Sequence, residues 1–285
     1  MSSKKIINCI LCESDQEISV VFSKKLNCNN REYLAEVVQC KSCGFVFDNT
    51  EIEEKDLSEF ISSSYYKSKK IGSDIDNRFK RHFANRAKSH IKLITQNFPF
   101  NFPGKALDIG CGAGIFLNNL KQLGWSTFGI EPSDEHYCYA KNILNLNVTN
   151  SLFQDYVLSS MNEKIDLIYM SHVFDDLPNI TNVIQSLKHI LSPSGMVFIE
   201  VPNFLRANSL DINDEDFIEN KYYFTPETIK LLLVNNGFVV DYMGVYEPIY
   251  FNTLYHYFIS PIKYIKRIFM KKQMGSHIRI ICSVA

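Results

Sequence analysis

The 285-residue chain lacks three features that would place it quickly in a class of protein. Its formal net charge is −1, so the chain as a whole offers no basic field for nucleic acid. It contains no apolar run of about 18 residues, which argues against a membrane-spanning helix. Its first residues, MSSKKIINCI, lack the apolar core of a secretory signal peptide. We therefore expect a soluble, cytoplasmic protein.

The cysteines are unevenly placed: there are eight, and four of them form two close pairs. Cys9 and Cys12 form one C-x2-C pair, and Cys40 and Cys43 form another. Each pair can form a tight knuckle with both sulfurs pointing inward, and two knuckles complete a tetrahedral zinc site of four sulfurs. Strand-like runs flank the second pair. We predict a zinc ribbon over residues 1–50 with a structural Zn²⁺, the alternative being four reduced, unligated cysteines.

The rest of the chain divides into a connector and a larger domain. Residues 51–77 are acidic and then rich in serine and lysine, which is typical of a connector. From residue 78 onward, strand and helix patterns alternate, which predicts a mainly parallel, doubly wound α/β sheet. Strands are expected at 105–110, 126–131, 147–151, 165–171, 195–202, 238–245 and 277–285.

An aromatic and apolar segment that turns basic lies at residues 250–272. Such a pattern suits an amphipathic helix on a membrane surface. Pro261 interrupts the pattern and the charges cluster at one end, which favours an insertion packed over the substrate cleft or against a second subunit. We therefore predict one domain over 78–285 with an insertion at about 248–275.

A glycine-rich loop, LDIGCGAG, follows the first predicted strand of this domain. Its glycines are Gly110, Gly112 and Gly114, which allow a ligand to approach the backbone closely. The spacing is not the G-x-G-x-x-G of dinucleotide-binding folds, and the G-K-[ST] of a P-loop is absent. The loop therefore indicates a nucleotide site of another kind.

Two carboxylates near the loop restrict the chemical class of ligand that the site can bind. Asp108, beside the loop, would repel a phosphate but suits an amino group or a cation. Glu131 ends the next predicted strand, where a carboxylate can accept hydrogen bonds from both ribose hydroxyls. The pattern predicts a nucleoside with a positive centre and no phosphate, which S-adenosylmethionine fits. The alternatives are a nicotinamide dehydrogenase and a glycine-rich turn without a ligand.

Together these residues resemble the class I S-adenosylmethionine-dependent methyltransferases. LDIGCGAG and FGIEPS resemble their first two motifs, and IDLIYMSHVFDDLP and SPSGMVFIEVPN resemble two later ones. The resemblance implies a Rossmann-like fold, a seven-stranded, mainly parallel sheet with an antiparallel last strand, behind the zinc ribbon. It implies cofactor contacts by Asp108, Gly110, Gly112, Gly114, Glu131, Pro132, Asp155 and Ser171. For Asp155, the alternative is an ordinary surface aspartate.

The same resemblance places the end of the fourth strand of the domain beside the transferable methyl group. Candidates there for the base that takes the acceptor's proton are His172, Asp175 and Asp176. His172 can equally be a packed strand-end histidine, and Asp176 can be a helix cap.

A narrower resemblance extends to sugar methyltransferases, including C-methyltransferases of nucleotide-linked deoxysugars, which have a zinc-binding region in front of the methyltransferase domain. CILC, VVQCKSCGFVF, SSSYY and IENKYYFTPETIKLLLVNNGF carry it. It implies that the connector helps to cover the substrate and that Tyr65, Tyr66, Glu219 and Asn220 contact it. The family has a further C-terminal domain for which this sequence ends too soon.

One departure from that family concerns the acceptor. The family's Glu-His pair is here Glu219-Asn220, and the missing histidine is expected to handle the proton at the sugar carbon. We therefore expect O-methylation of a nucleotide-linked or otherwise phosphorylated sugar-type acceptor in polysaccharide biosynthesis. Sugar C-methylation, RNA methylation behind a zinc ribbon, and a binding module that has lost catalysis are the alternatives. The near-neutral net charge of the chain argues against RNA as the substrate, since RNA binding normally requires a basic surface.

Overall fold

The fold is built on two β-sheets joined by shared core packing. A computed structural model describes residues 8–14, 18–28, 31–50, 77–97, 103–160, 164–207, 220–246 and 275–285. Within these residues, the larger sheet has seven strands and the smaller has four.

The larger sheet confirms the predicted α/β methyltransferase-type fold. Its strands are β4 (Lys105–Ile109), β5 (Ser126–Ile130), β6 (Val148–Thr149), β7 (Ile165–Ser171), β8 (Leu191–Pro202), β10 (Phe238–Tyr246) and β11 (His277–Val284). They lie in the order β10-β11-β8-β7-β4-β5-β6. Strands β4 to β8 pair in parallel, whereas β11 runs antiparallel between β8 and β10. The central strands read as nearly continuous apolar runs because helices cover both faces of such a sheet.

Helices alternate with these strands along the chain. They are α1 (Asn77–Asn97), α2 (Ile115–Gln122), α3 (Asp134–Cys138), α4 (Phe153–Ser160), α5 (Ile180–Ile190), α6 (Phe204–Ala207) and α7 (Pro226–Asn235), and a π-helical turn, Tyr139–Ile143, continues α3. Helix α1 buries Ala87, His90 and Ile94, which are three or four residues apart and therefore share one face. This face brings the polar His90 into the interior, where it needs a partner.

The smaller sheet forms the N-terminal module. Its strands are β1 (Ile18–Cys28), β2 (Arg31–Cys40), β3 (Val46–Asp48) and β9 (Tyr222–Tyr223), all antiparallel. The last of these comes from the larger domain, so the sheet crosses the boundary predicted at residue 50. Phe45 and Phe47 are fully buried in the same apolar cluster as the strands of the larger sheet. The module therefore shares a core with the methyltransferase-type domain.

Two predicted segments lie outside the described residues: the connector, except for its last residue, and the insertion, except for its last residue. Among the helices that the structure describes, none is long and apolar enough to cross a membrane.

Candidate active site and cysteine cluster

The glycine loop turns sharply at the carboxyl end of β4. Gly110, Gly112 and Gly114 all have positive φ angles, of 70°, 52° and 73°. A Cβ atom on Gly110 would lie 2.4 Å from a methyl carbon of Val173, so the Val173 side chain leaves no room for a side chain at position 110. A Cβ atom on Gly112 would meet no atom within 4 Å. The loop is thus closed on one side by packing and open at Gly112, as a cofactor that approaches the backbone requires.

Glu131, directly after β5, reaches across to this loop. Its Oε2 accepts a hydrogen bond of 2.8 Å from the Gly112 backbone N–H, and its Oε1 accepts one of 2.9 Å from the Ser133 N–H. Burial raises the pKa of Glu131, and the two backbone donors oppose that rise. Because each carboxylate oxygen has two lone pairs, the fixed carboxylate can still accept from two ribose hydroxyls. The arrangement fits the cofactor predicted from the sequence.

Asp108 lies one residue before the end of β4 and is 2% exposed. Burial raises the pKa of Asp108 well above its usual range, and the nearby charge of Glu131 raises it further. Two carboxylates close together in a buried site favour a cationic or proton-donating ligand between them. This chemistry matches an amino acid ammonium group.

The turn after β7 carries the predicted base candidates. His172 has a φ of 56°, an uncommon conformation for a residue with a side chain, and its side chain is 34% exposed. Asp175 is 2% exposed, and its Oδ1 has no hydrogen-bond partner among the described residues. Burial raises the pKa of Asp175 to about 6. Asp176 is half-buried in the same turn, and its backbone N–H donates a hydrogen bond of 3.0 Å to the Val173 carbonyl.

Beside this turn lies a charged cluster that the sequence analysis missed. Its centre is Glu200 of β8, which is 1% exposed. The groups around its carboxylate come from three elements and comprise Arg86 and His90 of α1, Ser171 and His172 at the end of β7, and Arg279 of β11. Glu200 falls in the FIEVPN stretch, and a glutamate within an otherwise apolar strand was the signal that could have revealed it.

The partners decide the charge state of this cluster. Burial would raise the pKa of Glu200, but the neighbouring His172 and His90 rings and the charge of Arg86 together lower it. Burial lowers the pKa of His90. Burial lowers the pKa of His277 to about 3. The cluster therefore consists of an ionised glutamate held by two guanidinium groups.

The four cysteines of the predicted zinc site come together as expected from their spacing. The sulfurs of Cys9, Cys12, Cys40 and Cys43 all lie within 4.8 Å of one another. Cys9 Sγ is 3.6 Å from Cys43 Sγ, and Cys12 Sγ is 3.8 Å from Cys40 Sγ. With zinc–sulfur bonds of about 2.3 Å, the edge of a ZnS₄ tetrahedron measures about 3.8 Å. The donor set and its spacing fit Zn²⁺.

Both knuckles have the backbone geometry of such a site. The Leu11 N–H donates to Cys9 Sγ at 3.4 Å, and the Gly44 N–H donates to the Cys40 carbonyl at 2.9 Å. Burial raises the pKa of Cys40, but backbone donors at Cys43 and Ser42 outweigh it and lower the pKa to about 7. Amide donors that stabilise a thiolate favour metal binding, since zinc binds the thiolate form.

The other predicted site residues are more scattered. Pro132 follows Glu131, and its carbonyl accepts from the Asn150 side chain at 3.2 Å. Asp155 is exposed in the first turn of α4. Asn220 is half-buried beside β9. The predicted substrate contacts Tyr65, Tyr66 and Glu219 lie outside the described residues.

The sequence matches a known protein family over most of the larger domain. A family model described as a methyltransferase domain matches residues 80–243, which is more than half of the chain. The chain belongs to this methyltransferase family. The match confirms the enzyme class predicted from the glycine loop and the strand-end motifs.

Several curated relatives are ubiquinone biosynthesis O-methyltransferases. The chain is 31% identical over 110 residues to the ubiquinone biosynthesis O-methyltransferase of Glaesserella parasuis, covering 36% of this chain and 47% of that enzyme. It is 28% identical over 185 residues to that of Bartonella bacilliformis, covering 57% and 73%. It is 25% identical over 171 residues to the human mitochondrial enzyme, covering 52% and 46%. The chain thus spans about half the length of two of these three relatives.

Solved structures confirm the fold. A SAM-dependent methyltransferase from Archaeoglobus fulgidus superposes with a TM-score of 0.53 at 22% identity, covering 71% of this chain and 93% of that one. The plantazolicin methyltransferase BpumL, solved in complex with SAH, superposes with the same TM-score and identity, covering 78% and 92%. These names include no nucleotide sugar, so the sugar acceptor predicted from the sequence remains a proposal.

Proposed function

We propose that the protein transfers the methyl group of S-adenosylmethionine to a hydroxyl oxygen of a small-molecule acceptor. The observation that carries the cofactor assignment is the pairing of Glu131 with the open glycine loop, through the Gly112 N–H. The choice of oxygen as acceptor atom is supported by the curated relatives, which are named O-methyltransferases.

The predicted cofactor-binding residues would hold and orient S-adenosylmethionine. Glu131 accepts from the ribose hydroxyls, and Gly112 leaves space for the nucleoside. Asp108 faces the amino acid part, where its charge is balanced by an ammonium group. Bound S-adenosylmethionine supplies an activated methyl group on a sulfonium centre, so the protein's main task is to align the acceptor behind it.

The turn after β7 would remove the acceptor's proton. As the new oxygen–carbon bond forms and the sulfur–carbon bond breaks, the hydroxyl proton passes to His172, Asp175 or Asp176. His172 is the strongest candidate, since its side chain is one-third exposed while Asp175 is almost wholly buried. The almost wholly buried Asp175 is better placed to orient the acceptor or His172 than to meet the acceptor's proton directly.

The class of acceptor follows from the sequence resemblance. The similarity to sugar methyltransferases favours a nucleotide-linked or phosphorylated sugar, and the cysteine cluster that accompanies it would hold a structural zinc ion. Asn220 stands where that family has a histidine, and an amide cannot remove a proton from a sugar carbon at neutral pH. A hydroxyl acceptor needs less assistance, because methyl transfer and proton loss can overlap.

The test uses S-adenosylmethionine carrying a carbon-13 methyl group, with two acceptor panels. One panel contains nucleotide-linked sugars, and the other contains phenolic precursors of ubiquinone. We expect a methoxy carbon resonance in a product from the sugar panel. Protein with Glu131→Ala serves as the control for cofactor-dependent transfer.

Other outcomes would revise the proposal at different levels. A methoxy product from the phenolic panel alone would keep O-methylation and remove the sugar. A carbon-bound methyl group would refute transfer to oxygen. Failure to bind S-adenosylmethionine in calorimetry would refute the cofactor assignment itself.

A further inference from the structure

The contacts of Glu200 divide between its two carboxylate oxygens. Oε2 accepts a hydrogen bond of 2.9 Å from His90 Nε2 and one of 2.5 Å from Arg279 Nε. Oε1 accepts from Arg86 and, at 3.1 Å, from the Ser171 hydroxyl. One oxygen is thus fixed by interior groups, and the other faces the end of β7.

The side that faces β7 also meets His172. His172 Nε2 lies 3.5 Å from Glu200 Oε1, and the His172 backbone N–H donates to the Glu200 carbonyl at 2.8 Å. The positive φ of His172 turns its chain at this point. A strained backbone that persists beside a reactive group is a feature of sites where geometry matters. Glu200 therefore contacts the base candidate through both its backbone and its side chain.

We infer that Glu200 is a positioning residue that accepts a hydrogen bond from His172 Nε2–H and so leaves the lone pair of Nδ1 to take the acceptor's proton. In a neutral imidazole, one nitrogen carries the proton and the other is the base, and the hydrogen bond made by the first decides which is which. The inference rests on the proposed function, since it takes His172 as the base.

The surrounding cluster is suited to this task. Arg86 binds both Ser171 and Glu200, and Arg279 and His90 hold the opposite oxygen, so the carboxylate cannot turn away from His172. His90 is itself held by the Tyr169 hydroxyl at 2.7 Å. The Nε2–Oε1 distance of 3.5 Å is long for a hydrogen bond, and catalytic hydrogen bonds commonly shorten when ligands bind.

The first experiment is nuclear magnetic resonance on protein with nitrogen-15 histidine, saturated with S-adenosylhomocysteine. Loss of peaks in His172→Asn assigns the ring. We expect a directly observed Nε2–H proton for His172, protected from exchange by a charged acceptor. The signal should disappear or move upfield in Glu200→Gln. It should persist in Arg279→Lys, whose side chain contacts only the other oxygen of Glu200.

A neutral His172 ring with its proton on Nδ1 in the unaltered protein would overturn the inference. Because this measurement uses the unaltered protein, it does not depend on whether a variant folds. An unchanged signal in correctly folded Glu200→Gln would also overturn it. The same loss in Arg279→Lys would overturn it too, since the signal would then report the cluster as a whole.

The second experiment is a double-mutant cycle on turnover, with the acceptor found by the labelled-methyl assay. We expect Glu200→Gln to lower kcat by roughly 100-fold, as His172→Asn does, with little change in KM for S-adenosylmethionine. The double variant should be no slower than His172→Asn, because the two residues act as one unit. Additive losses would overturn the inference. Full activity of His172→Asn would instead refute the base assigned under the proposed function, while the resonance test of the Glu200–His172 contact would still stand.

Discussion

At the scale of single residues, the candidate site depends on four buried carboxylates that differ in their neighbours. Asp108, Glu131 and Asp175 have raised pKa values because burial outweighs their partners. Glu200 is equally buried, but its pKa is lowered because two arginines and two histidines surround it. Burial alone therefore does not assign a role. The neighbouring groups decide which carboxylate stays ionised within the protein and which is left for a ligand to neutralise.

Glu131→Ala should weaken binding of S-adenosylmethionine by roughly 10- to 100-fold, measured by calorimetry. The variant loses two charge-assisted hydrogen bonds to ribose and also the contact that fixes Gly112. Glu135→Ala, an exposed position in α3, is the matched control and should bind normally. Unchanged affinity in Glu131→Ala would place the ribose contact elsewhere.

Asp175→Asn should be stabilised relative to the unaltered protein as the pH rises. The pKa of Asp175 is about 6 in the folded protein against a usual 3.8, so between these values the folded state holds a proton that the unfolded state has released. Stability contributed by the neutral carboxyl is therefore full below about pH 4 and is lost as the pH rises through 6. The asparagine variant should avoid a loss of at most roughly 3 kcal/mol.

Urea unfolding at several pH values measures this difference. The exposed Asp134→Asn serves as the control for removal of a surface aspartate. A difference between Asp175→Asn and the unaltered protein that stays constant from pH 4 to pH 8 would contradict the prediction.

At the scale of elements, strand β9 connects the cysteine module to the base candidates. Tyr222 and Tyr223 pair with β3 beside the second knuckle. The N–H groups of Lys221 and Tyr222 donate to the Asp175 carbonyl at 3.0 and 2.9 Å. The rings of Phe45 and Phe224, with centroids 5.6 Å apart, continue the link through the core. A disturbance of the knuckles should therefore reach the turn after β7.

Removal of zinc tests this link. We predict one zinc ion per chain, and its extraction by a chelator should shift the amide signals of Lys221 and Tyr222 and lower the unfolding midpoint by about 5–10 °C. Cys40→Ser should lose the metal, whereas Cys138→Ser, at an exposed and unpaired cysteine, should keep it. Full zinc occupancy in Cys40→Ser would contradict the four-cysteine site, and unmoved signals at Lys221 would contradict the link.

At the scale of the whole molecule, the α/β order of the sequence was enough to predict the sheet. The predicted strands agree with the observed ones to within a residue or two in most cases, as with 105–110 against Lys105–Ile109. The strand at 195–202 is longer than predicted, since β8 begins at Leu191. The early start lies in a serine–proline segment, where the apolar pattern that marks a strand is missing.

Local patterns also located much of the candidate site. The glycine loop, Asp108 and Glu131 could be identified because each follows a strand at a fixed spacing, and parallel strands bring their carboxyl ends to one edge. The four cysteines could be paired because two residues between cysteines suffice for a knuckle. Within the glycine loop and within each knuckle, the sequence by itself determined the geometry, since neighbours in the chain are neighbours in space. The fold brought Glu131 to Gly112 and the two knuckles to each other.

The cluster around Glu200 was decided only by the tertiary structure. Arg86, Glu200 and Arg279 are separated by 114 and 79 positions in the chain, and no spacing rule relates them. They meet because α1 packs across the sheet where β11 lies beside β8. The pairing of β9 with β3 has the same origin. Long-range packing places such groups together, and the buried Glu200 among apolar neighbours was the only trace that the cluster left in the sequence.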